Sequence, residues 1–264
     1  MVVHVEPRLY GSLAPRYTKA PIFNLDLLMA LYQYPPAKRD VYAHDEGLLV
    51  LEELGGDEPK KALLDTTSSD AARELLEVLD EDAYVFTVRE RWLTVIIEAT
   101  WDVTFEEVEP KRYSTDLNRF SGQCNHKVIE LADKDEQRIK GFVEQRDDFE
   151  EHPPLEDLLV WKQKGRDCRI FAALEDNDIR SYLLAVPICV DLNSIWHLQY
   201  VYTHSALRNK GYAASLLCAA TESLLESGHV PVVTPFNPKM QDACEKFGFF
   251  VSDDRLQGVG TRSA

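Results

Sequence analysis

The sequence predicts a fold of α/β (α+β) class in two halves, each with helices packed on a strand-rich sheet. The sheet of the second half is expected to be mixed and mainly antiparallel. Runs of β-branched and aromatic residues typical of strands recur along the chain, and apolar residues at helical spacing lie between them. A polar segment at 113–125, which contains Gly122, interrupts these patterns and is typical of a linker. We therefore expect two domains, at 1–124 and 125–264.

Turn signals and periodicity define the elements of the first half. Asn24 precedes apolar residues at helical spacing and Pro35-Pro36 follows them, which indicates where a helix begins and ends. The polar cluster at 65–70 is typical of a loop that caps the next helix. The expected elements are a helix at 21–33, strands at 40–43, 47–51 and 61–64, a helix at 71–79, and strands at 84–88, 93–98 and 103–108.

The second half is predicted to begin with a strand and a helix capped by Asp133, followed by an antiparallel meander of three strands. From Gly211 the apolar spacing changes to the helical period, and Gly228 is expected to end that helix. The expected elements are a strand at 127–131, helices to about 147 and at 156–164, strands at 169–174, 180–190 and 195–203, a helix at 211–228, a strand at 229–236, a helix at 239–247 ended by Gly248, and a strand at 249–251.

Charge and composition restrict the class of partner. With 45% apolar and 28% charged residues and a formal net charge of −16, the chain has a globular balance and an acidic surface. A polyanion needs a basic surface, so nucleic acid is excluded as an expected partner, whereas a cationic amine is compatible. No apolar run approaches a membrane span and the first residues lack a signal-peptide pattern, so we expect no membrane and a cytoplasmic protein.

The cysteines and histidines predict neither a disulfide framework nor a metal site. Five cysteines are widely spaced and never form CxxC, and seven histidines form no HxxxH pattern. We expect reduced, mostly buried thiols and no metal.

An anion site is predicted at the turn that joins the strand at 195–203 to the helix after Gly211. Unpaired N–H groups at a helix start point outward, the helix dipole favours negative charge, and glycine lets a ligand approach the backbone closely. Arg208 and Lys210 add positive charge. The turn consists of Arg208-Asn209-Lys210-Gly211-Tyr212-Ala213.

These residues resemble the signature of the GNAT superfamily of acyl-CoA N-acyltransferases, (Gln/Arg)-x-x-Gly-x-(Gly/Ala), which Arg208, Gly211 and Ala213 match. Downstream, Pro235-Phe236-Asn237 and the segment 243–249 resemble the family's asparagine and its Tyr-Glu-Lys-x-Gly-Phe ending. The resemblance covers about 127–251. Val201-Tyr202-Thr203 before the signature is most similar to the subgroup related to glycine N-acyltransferases.

The resemblance implies a GNAT-type sheet and a direct transfer from acetyl-CoA, or another acyl-CoA, to a primary amine. A strand N–H near 201–203 would polarise the thioester carbonyl. The acceptor would be a small-molecule amine or amino acid, and a protein amine is the second choice; the sequence does not fix the oligomeric state. Asn237 would contact the cofactor or simply start a turn. The implied cofactor-binding residues are Val201, Tyr202, Thr203, Arg208, Asn209, Lys210, Gly211, Tyr212, Ala213 and Asn237.

For the general base, His197 lies on the strand that leads to the signature, and a histidine that only packs between strands is an equal alternative. Glu175 and Asp191 are weaker candidates. For the general acid, Cys244 replaces the family's tyrosine, and a thiol that merely fills space is the alternative. Tyr200, Tyr202 or solvent would then supply the proton.

The first half carries no second signature, so a degenerate GNAT-like domain that shapes the acceptor site is the preferred interpretation. The departure at Cys244 leaves a second function open, a catalytically weak acyl-CoA-binding regulatory module. A scaffold without a ligand is a third, which the intact signature disfavours.

Overall fold

The fold comes from a computed structural model, which describes residues 1–17, 22, 24–32, 39–55, 57–132, 135–143, 168–187 and 195–262. The chain forms two compact units. One consists of Met1–Glu109 together with Asp253–Ala264, and the other of Pro110–Ser252. Each unit has its own mixed sheet with helices, which confirms the predicted α/β class.

The first unit is built on a sheet of eight strands. The strands are β1 (Val3–His4), β2 (Arg39–His44), β3 (Gly47–Glu52), β4 (Lys60–Thr66), β5 (Ala83–Val88), β6 (Trp101–Asp102), β7 (Glu106–Glu107) and β15 (Leu256–Arg262). They run in the order β1-β2-β3-β4-β5-β15-β6, and β7 pairs with β15. Among these described strands, β4 and β5 pair in parallel and the other pairs are antiparallel. The helices are α1 (Tyr10–Leu13), α2 (Leu25–Tyr32), α3 (Ser69–Leu76) and α4 (Arg91–Glu98), with 3-10 turns at Pro7–Leu9 and Ala14–Arg16.

The segment at 93–98, predicted as a strand, is helix α4. Leu93 and Ile97 are one helical turn apart and both are fully buried in the core of the first sheet, whereas Val95 is exposed. That spacing is helical, but in a short apolar run the β-branched content suggested a strand. The predicted strand at 103–108 was also too long, because only Glu106–Glu107 pairs with β15.

The second unit contains a sheet of seven strands among its described residues. They are β8 (Tyr113–Ser114), β9 (Lys127–Glu130), β10 (Arg169–Glu175), β11 (Asp178–Pro187), β12 (Ile195–Thr203), β13 (Val230–Val233) and β14 (Phe250–Val251). Their order is β14-β8-β13-β12-β11-β10-β9; β12 and β13 pair in parallel, and the other pairs are antiparallel. The helices are α5 (Glu136–Val143), α6 (Tyr212–Glu226) and α7 (Pro238–Lys246), with a 3-10 turn at Ser205–Leu207.

Two hydrophobic cores cover the two faces of this sheet. Leu216, Leu217 and Leu224 of α6 pack on one face against Leu198. On the other face Phe142 of α5 packs among residues of β10, β11 and β12. The meander and both following helices are therefore confirmed as predicted.

The division into units differs from the boundary predicted at residue 124. The expected linker contains β8, which pairs with β13 and β14 in the second sheet. Residues 256–262, for which no element was expected, form β15 between β5 and β6 in the first sheet. Strand pairing over such sequence distances leaves no local pattern. The expected helix at 156–164, the Asp133 cap and the Pro35-Pro36 stop lie outside the described residues.

Candidate functional site

The predicted anion site has the backbone geometry of a binding turn. Strand β12 ends at Thr203, and Gly211 is the N-cap of α6 with φ 89°, a left-handed conformation that favours glycine. Glycine offers no capping side chain, so the N–H groups of the first helical turn are left for a ligand. A Cβ at residue 211 would meet only the His126 ring, at 3.7 Å. The turn is therefore open at the backbone.

Positive side chains surround this turn. Arg208 and Lys210 are exposed, and the Arg208 Nε donates to the Thr203 carbonyl at 3.1 Å. Lys239 at the start of α7 donates to the Asn209 Oδ1, which brings a further ammonium group to the turn. An anion at the helix start would thus meet both the helix dipole and nearby cationic side chains.

His126 supports the turn through contacts with Lys210 and Tyr212, a role that the sequence did not indicate. Its Nε2 lies 2.9 Å from the Lys210 carbonyl oxygen, and its ring stacks on Tyr212 with centroids 4.0 Å apart. The backbone N–H of His126 donates to the Ser215 Oγ at 3.2 Å. The sequence separation of 84 residues leaves no local signal for this contact.

Tyr212 is a structural anchor of the turn. Its side chain is buried and its hydroxyl donates to the Glu175 Oε1 at 2.8 Å. Burial, with the neighbouring Glu175, raises the pKa of Tyr212. Glu175 also pairs with Arg180 at 3.5 Å, so this carboxylate, one of the alternative bases, holds the turn together. Asp191, the other alternative, lies outside the described residues.

Strand β12 has a bulge where it reaches residues 201–203, the three residues whose backbone was predicted to contact the cofactor. Tyr202 pairs with Tyr182 while Gln199 pairs with Leu184, so two residues of β12 oppose Leu183. Tyr200 has φ 52° there. The extra residue reverses which face the later side chains take, a known effect of a bulge.

The reversal is visible in the packing of the strand. Leu198 lies in the core under α6, whereas Tyr202 packs against Phe142 of α5, with ring centroids 5.6 Å apart. Positions 198 and 202 would share a face in a regular strand. Because the Tyr202 side chain is buried, only its backbone is open to a ligand role.

Strands β12 and β13 separate next to this bulge. Their parallel ladder ends at the pair Leu198↔Val233, although β12 continues to Thr203. Backbone groups of 199–203 therefore extend beyond the last β13 pair, beside the start of the turn. An extended ligand chain running from the turn along this strand end would meet them.

His197 lies on β12 between Val186 and Val232, before the bulge. Its Nε2 is 3.5 Å from the Thr234 Oγ1. Desolvation, with a smaller contribution from Arg112, lowers the pKa of His197 from 6.5 to about 4. The imidazole is therefore neutral near pH 7.

This lowered pKa predicts an acid-sensitive stability. Because the pKa of His197 is lower in the folded state than in the unfolded state, the unfolded state binds a proton first as the pH falls. The stability that comes from folding with a neutral His197 is therefore complete above pH 6.5 and is lost as the pH falls toward about 4. The loss should reach about 3 kcal/mol at most. Denaturant unfolding of the wild type and of His197→Gln across that range checks it. Parallel pH dependences for the two proteins would contradict the assignment.

Cys244 and Asn237 occupy positions that favour their structural alternatives. Cys244 is fully buried in the core under α6, and burial raises the pKa of its thiol to about 12. Asn237 is the N-cap of α7, and its Oδ1 accepts from the Met240 N–H at 2.9 Å. The Asn237 side-chain oxygen therefore already accepts a hydrogen bond from the protein's own backbone.

Among the described residues, no group of three or more His, Cys, Asp and Glu side chains is placed to hold a metal ion. In the same part of the chain, no helix combines the length and apolar content that a membrane crossing requires.

Comparison with known proteins agrees with this geometry. Residues 126–249 match the model of the acetyltransferase (GNAT) family. No curated protein matches the chain.

Solved structures match over the whole chain. A GNAT-family acetyltransferase from Colwellia psychrerythraea has a TM-score of 0.67 and 11% identity, with 100% of both chains covered. A tandem GNAT protein from the clavulanic acid biosynthesis pathway has a TM-score of 0.59 and 15% identity, covering 100% of this chain and 98% of that one. A GCN5-related N-acetyltransferase from Kribbella flavida has a TM-score of 0.53 and 12% identity, with 96% of both chains covered. The chain therefore has a GNAT-type fold, and its residues 126–249 are similar to the acetyltransferase (GNAT) family.

Proposed function

We propose that the second unit is an N-acyltransferase that moves an acetyl group, or another acyl group, from acyl-CoA to a primary amine. The observation that carries the proposal is the open helix start at Gly211, with a left-handed backbone and exposed Arg208 and Lys210 beside it. A pyrophosphate needs such N–H groups and cations. The similarity of residues 126–249 to the acetyltransferase (GNAT) family supports acetyl-CoA as the donor.

In this proposal the donor lies along the end of β12. The first-turn N–H groups of Gly211, Tyr212 and Ala213 hold the pyrophosphate, with help from Arg208, Asn209 and Lys210. The pantetheine chain follows the strand end at 201–203, where the β13 ladder has stopped. Asn237 is a less favoured cofactor contact than the residues of the turn, because its side-chain oxygen caps α7.

The reaction is a direct transfer. The amine nitrogen forms a bond to the thioester carbonyl carbon, and the carbon–sulfur bond breaks. A backbone N–H at 201–203 stabilises the charge that develops on the carbonyl oxygen. The amine loses a proton, the CoA thiolate gains one, and the products are an amide and free CoA.

His197 is the proposed proton acceptor, in its neutral form. A pKa of about 4 makes the imidazole available around neutrality but only weakly basic, so its contribution lies at the low end of general-base catalysis. A packing histidine remains the alternative hypothesis.

For proton return to the thiolate we favour Tyr200 or solvent over Cys244. Tyr200 is partly exposed at the bulge, whereas Cys244 lies in the core with a raised pKa. Tyr202 is buried between Phe142 and Tyr182. The regulatory-module alternative keeps the same donor site without turnover.

The acceptor is proposed to be a small-molecule amine or amino acid, and a protein amine is the second choice. The net charge of −16 is compatible with a cationic acceptor. A degenerate GNAT-like origin of the first unit stays a prediction, as does the glycine N-acyltransferase-like subgroup.

The test measures CoA release from acetyl-CoA and longer acyl-CoAs with a panel of amines, amino acids and peptides. We expect turnover by the wild type and a loss of about 100-fold in kcat for His197→Gln. His229→Gln, at the residue immediately before β13, is the matched control and should retain activity. An unchanged kcat in His197→Gln would leave His197 a packing residue. Binding of CoA without turnover for any acceptor would favour the regulatory module.

A further inference from the structure

Two cysteine side chains of the second unit, Cys124 and Cys218 of α6, are in contact. Their Sγ atoms are 2.7 Å apart, within about 1 Å of the length of an S–S bond. Cys124 is exposed on the segment before β9, and Cys218 is 1% exposed in the second turn of α6. Their sequence separation of 94 makes this a long-range contact.

Backbone features hold the Cys124 segment against the helix. A Cβ at Gly122 would lie 3.2 Å from the Cys218 Sγ and 2.6 Å from the Phe120 ring, so glycine permits the close approach. The N–H groups of Asn125 and His126 both donate to the Ser215 Oγ at 3.2 Å. The two sulfur atoms are thus fixed next to each other by contacts on both sides of Cys124.

The two thiols differ in a way that suits stepwise chemistry. Cys124 is exposed, whereas Cys218 is buried and burial raises the pKa of its thiol. Cys124, which is exposed, is therefore the sulfur that meets an external reagent first. Cys218 is then within reach of any adduct formed on Cys124.

We propose that Cys124 and Cys218 form a reversible intramolecular disulfide, with a low-molecular-weight disulfide such as oxidised glutathione as the oxidant. The Cys124 thiolate attacks one sulfur of the oxidant, forms a mixed disulfide and releases one glutathione thiolate. Cys218 then attacks the Cys124 sulfur, gives up its proton and releases the second glutathione. One S–S bond of the oxidant breaks and one forms in the protein, and two glutathione thiols are produced.

The disulfide would link the segment around His126, which supports the binding turn, covalently to α6. The Cys124 segment continues into His126, which contacts the Lys210 carbonyl and the Tyr212 ring. Fixing Cys124 to Cys218 restricts the separation of this support from the turn. An ordered support costs less to arrange when a ligand binds, so affinity for an anion at the turn should rise.

The first test is chemical and does not depend on the proposed function. The full-length protein is incubated with oxidised glutathione, alkylated and mapped by mass spectrometry without reduction. We expect a Cys124–Cys218 cross-linked peptide that dithiothreitol removes, and a raised thermal midpoint that Cys124→Ser loses. Cys168→Ser, which alters another buried thiol, should keep the cross-link. Glutathione retained on Cys124 without the cross-link would overturn the proposal.

The second test rests on the proposed function and measures CoA affinity of the oxidised and reduced wild type. We expect about threefold to tenfold tighter binding after oxidation, and no change in Cys124→Ser. A cross-link with equal affinities would remove the link to the turn while leaving the disulfide. Absence of CoA binding in both forms would instead contradict the proposed function, so the two failures are distinguishable.

Discussion

Replacing Gly211 with aspartate is expected to weaken CoA binding by about 100-fold or more, a loss of about 2.7 kcal/mol. The carboxylate would stand at the start of α6, where the pyrophosphate is proposed to sit, and would repel it. The left-handed φ of 89° adds strain for any side chain. Isothermal titration with CoA, together with turnover at saturating amine, measures the effect.

Gly228→Asp is the matched control for this variant. Gly228 follows the other end of the same helix, has φ 77°, and its added Cβ would meet nothing within 4 Å. It therefore introduces the same charge and a similar backbone strain away from the turn. Equal losses of CoA affinity in the two variants would show that general destabilisation, and not the anion site, is responsible.

Replacing Gly248 with alanine is expected to destabilise the second unit by about 3 kcal/mol or more. Its φ is 83°, and a Cβ would stand 2.0 Å from the Arg119 carbonyl oxygen. The clash is with backbone, which hydrogen bonds hold in place: Thr115 donates to the Gly248 carbonyl, and the Ser121 N–H donates to that of Phe247. Denaturant unfolding followed by circular dichroism measures the loss.

Gly228→Ala separates the clash from the conformational strain. Both glycines have left-handed backbones, but Gly228 faces open space, so its alanine variant should lose only about 1 kcal/mol. If the two alanine variants were equally stable, the close approach of residue 248 to Arg119 would be refuted.

The sequence predicted the meander and the helices α6 and α7 of the second unit because each has a clear period. The apolar residues of the meander pack into the cores on both faces of the sheet, and the leucines of α6 pack on one of those faces, so pattern and packing agree. In the first unit α4 was mistaken for a strand, because an apolar run of this length fits both periods. Strands β8 and β15 were missed because long-range pairing selects them.

The candidate site was predictable to the extent that it is local. Arg208 to Ala213 are contiguous, so a backbone principle identifies the turn without knowledge of the fold. His126 and Lys239 reach it from distant parts of the sequence and left no pattern. For Cys244 and Asn237, the chemistry of the side chain suggested a role that burial and capping disfavour.

The position of β15 also bears on the order in which the chain acquires structure during synthesis. This strand lies between β5 and β6 in the first sheet, yet it follows all of residues 110–252 in the sequence. A ribosome therefore delivers every strand of the second unit before the first sheet can be completed. The sheet of the N-terminal unit, although most of it is translated first, is therefore completed last. Until β15 has been synthesised, one edge of β5 has no strand to pair with.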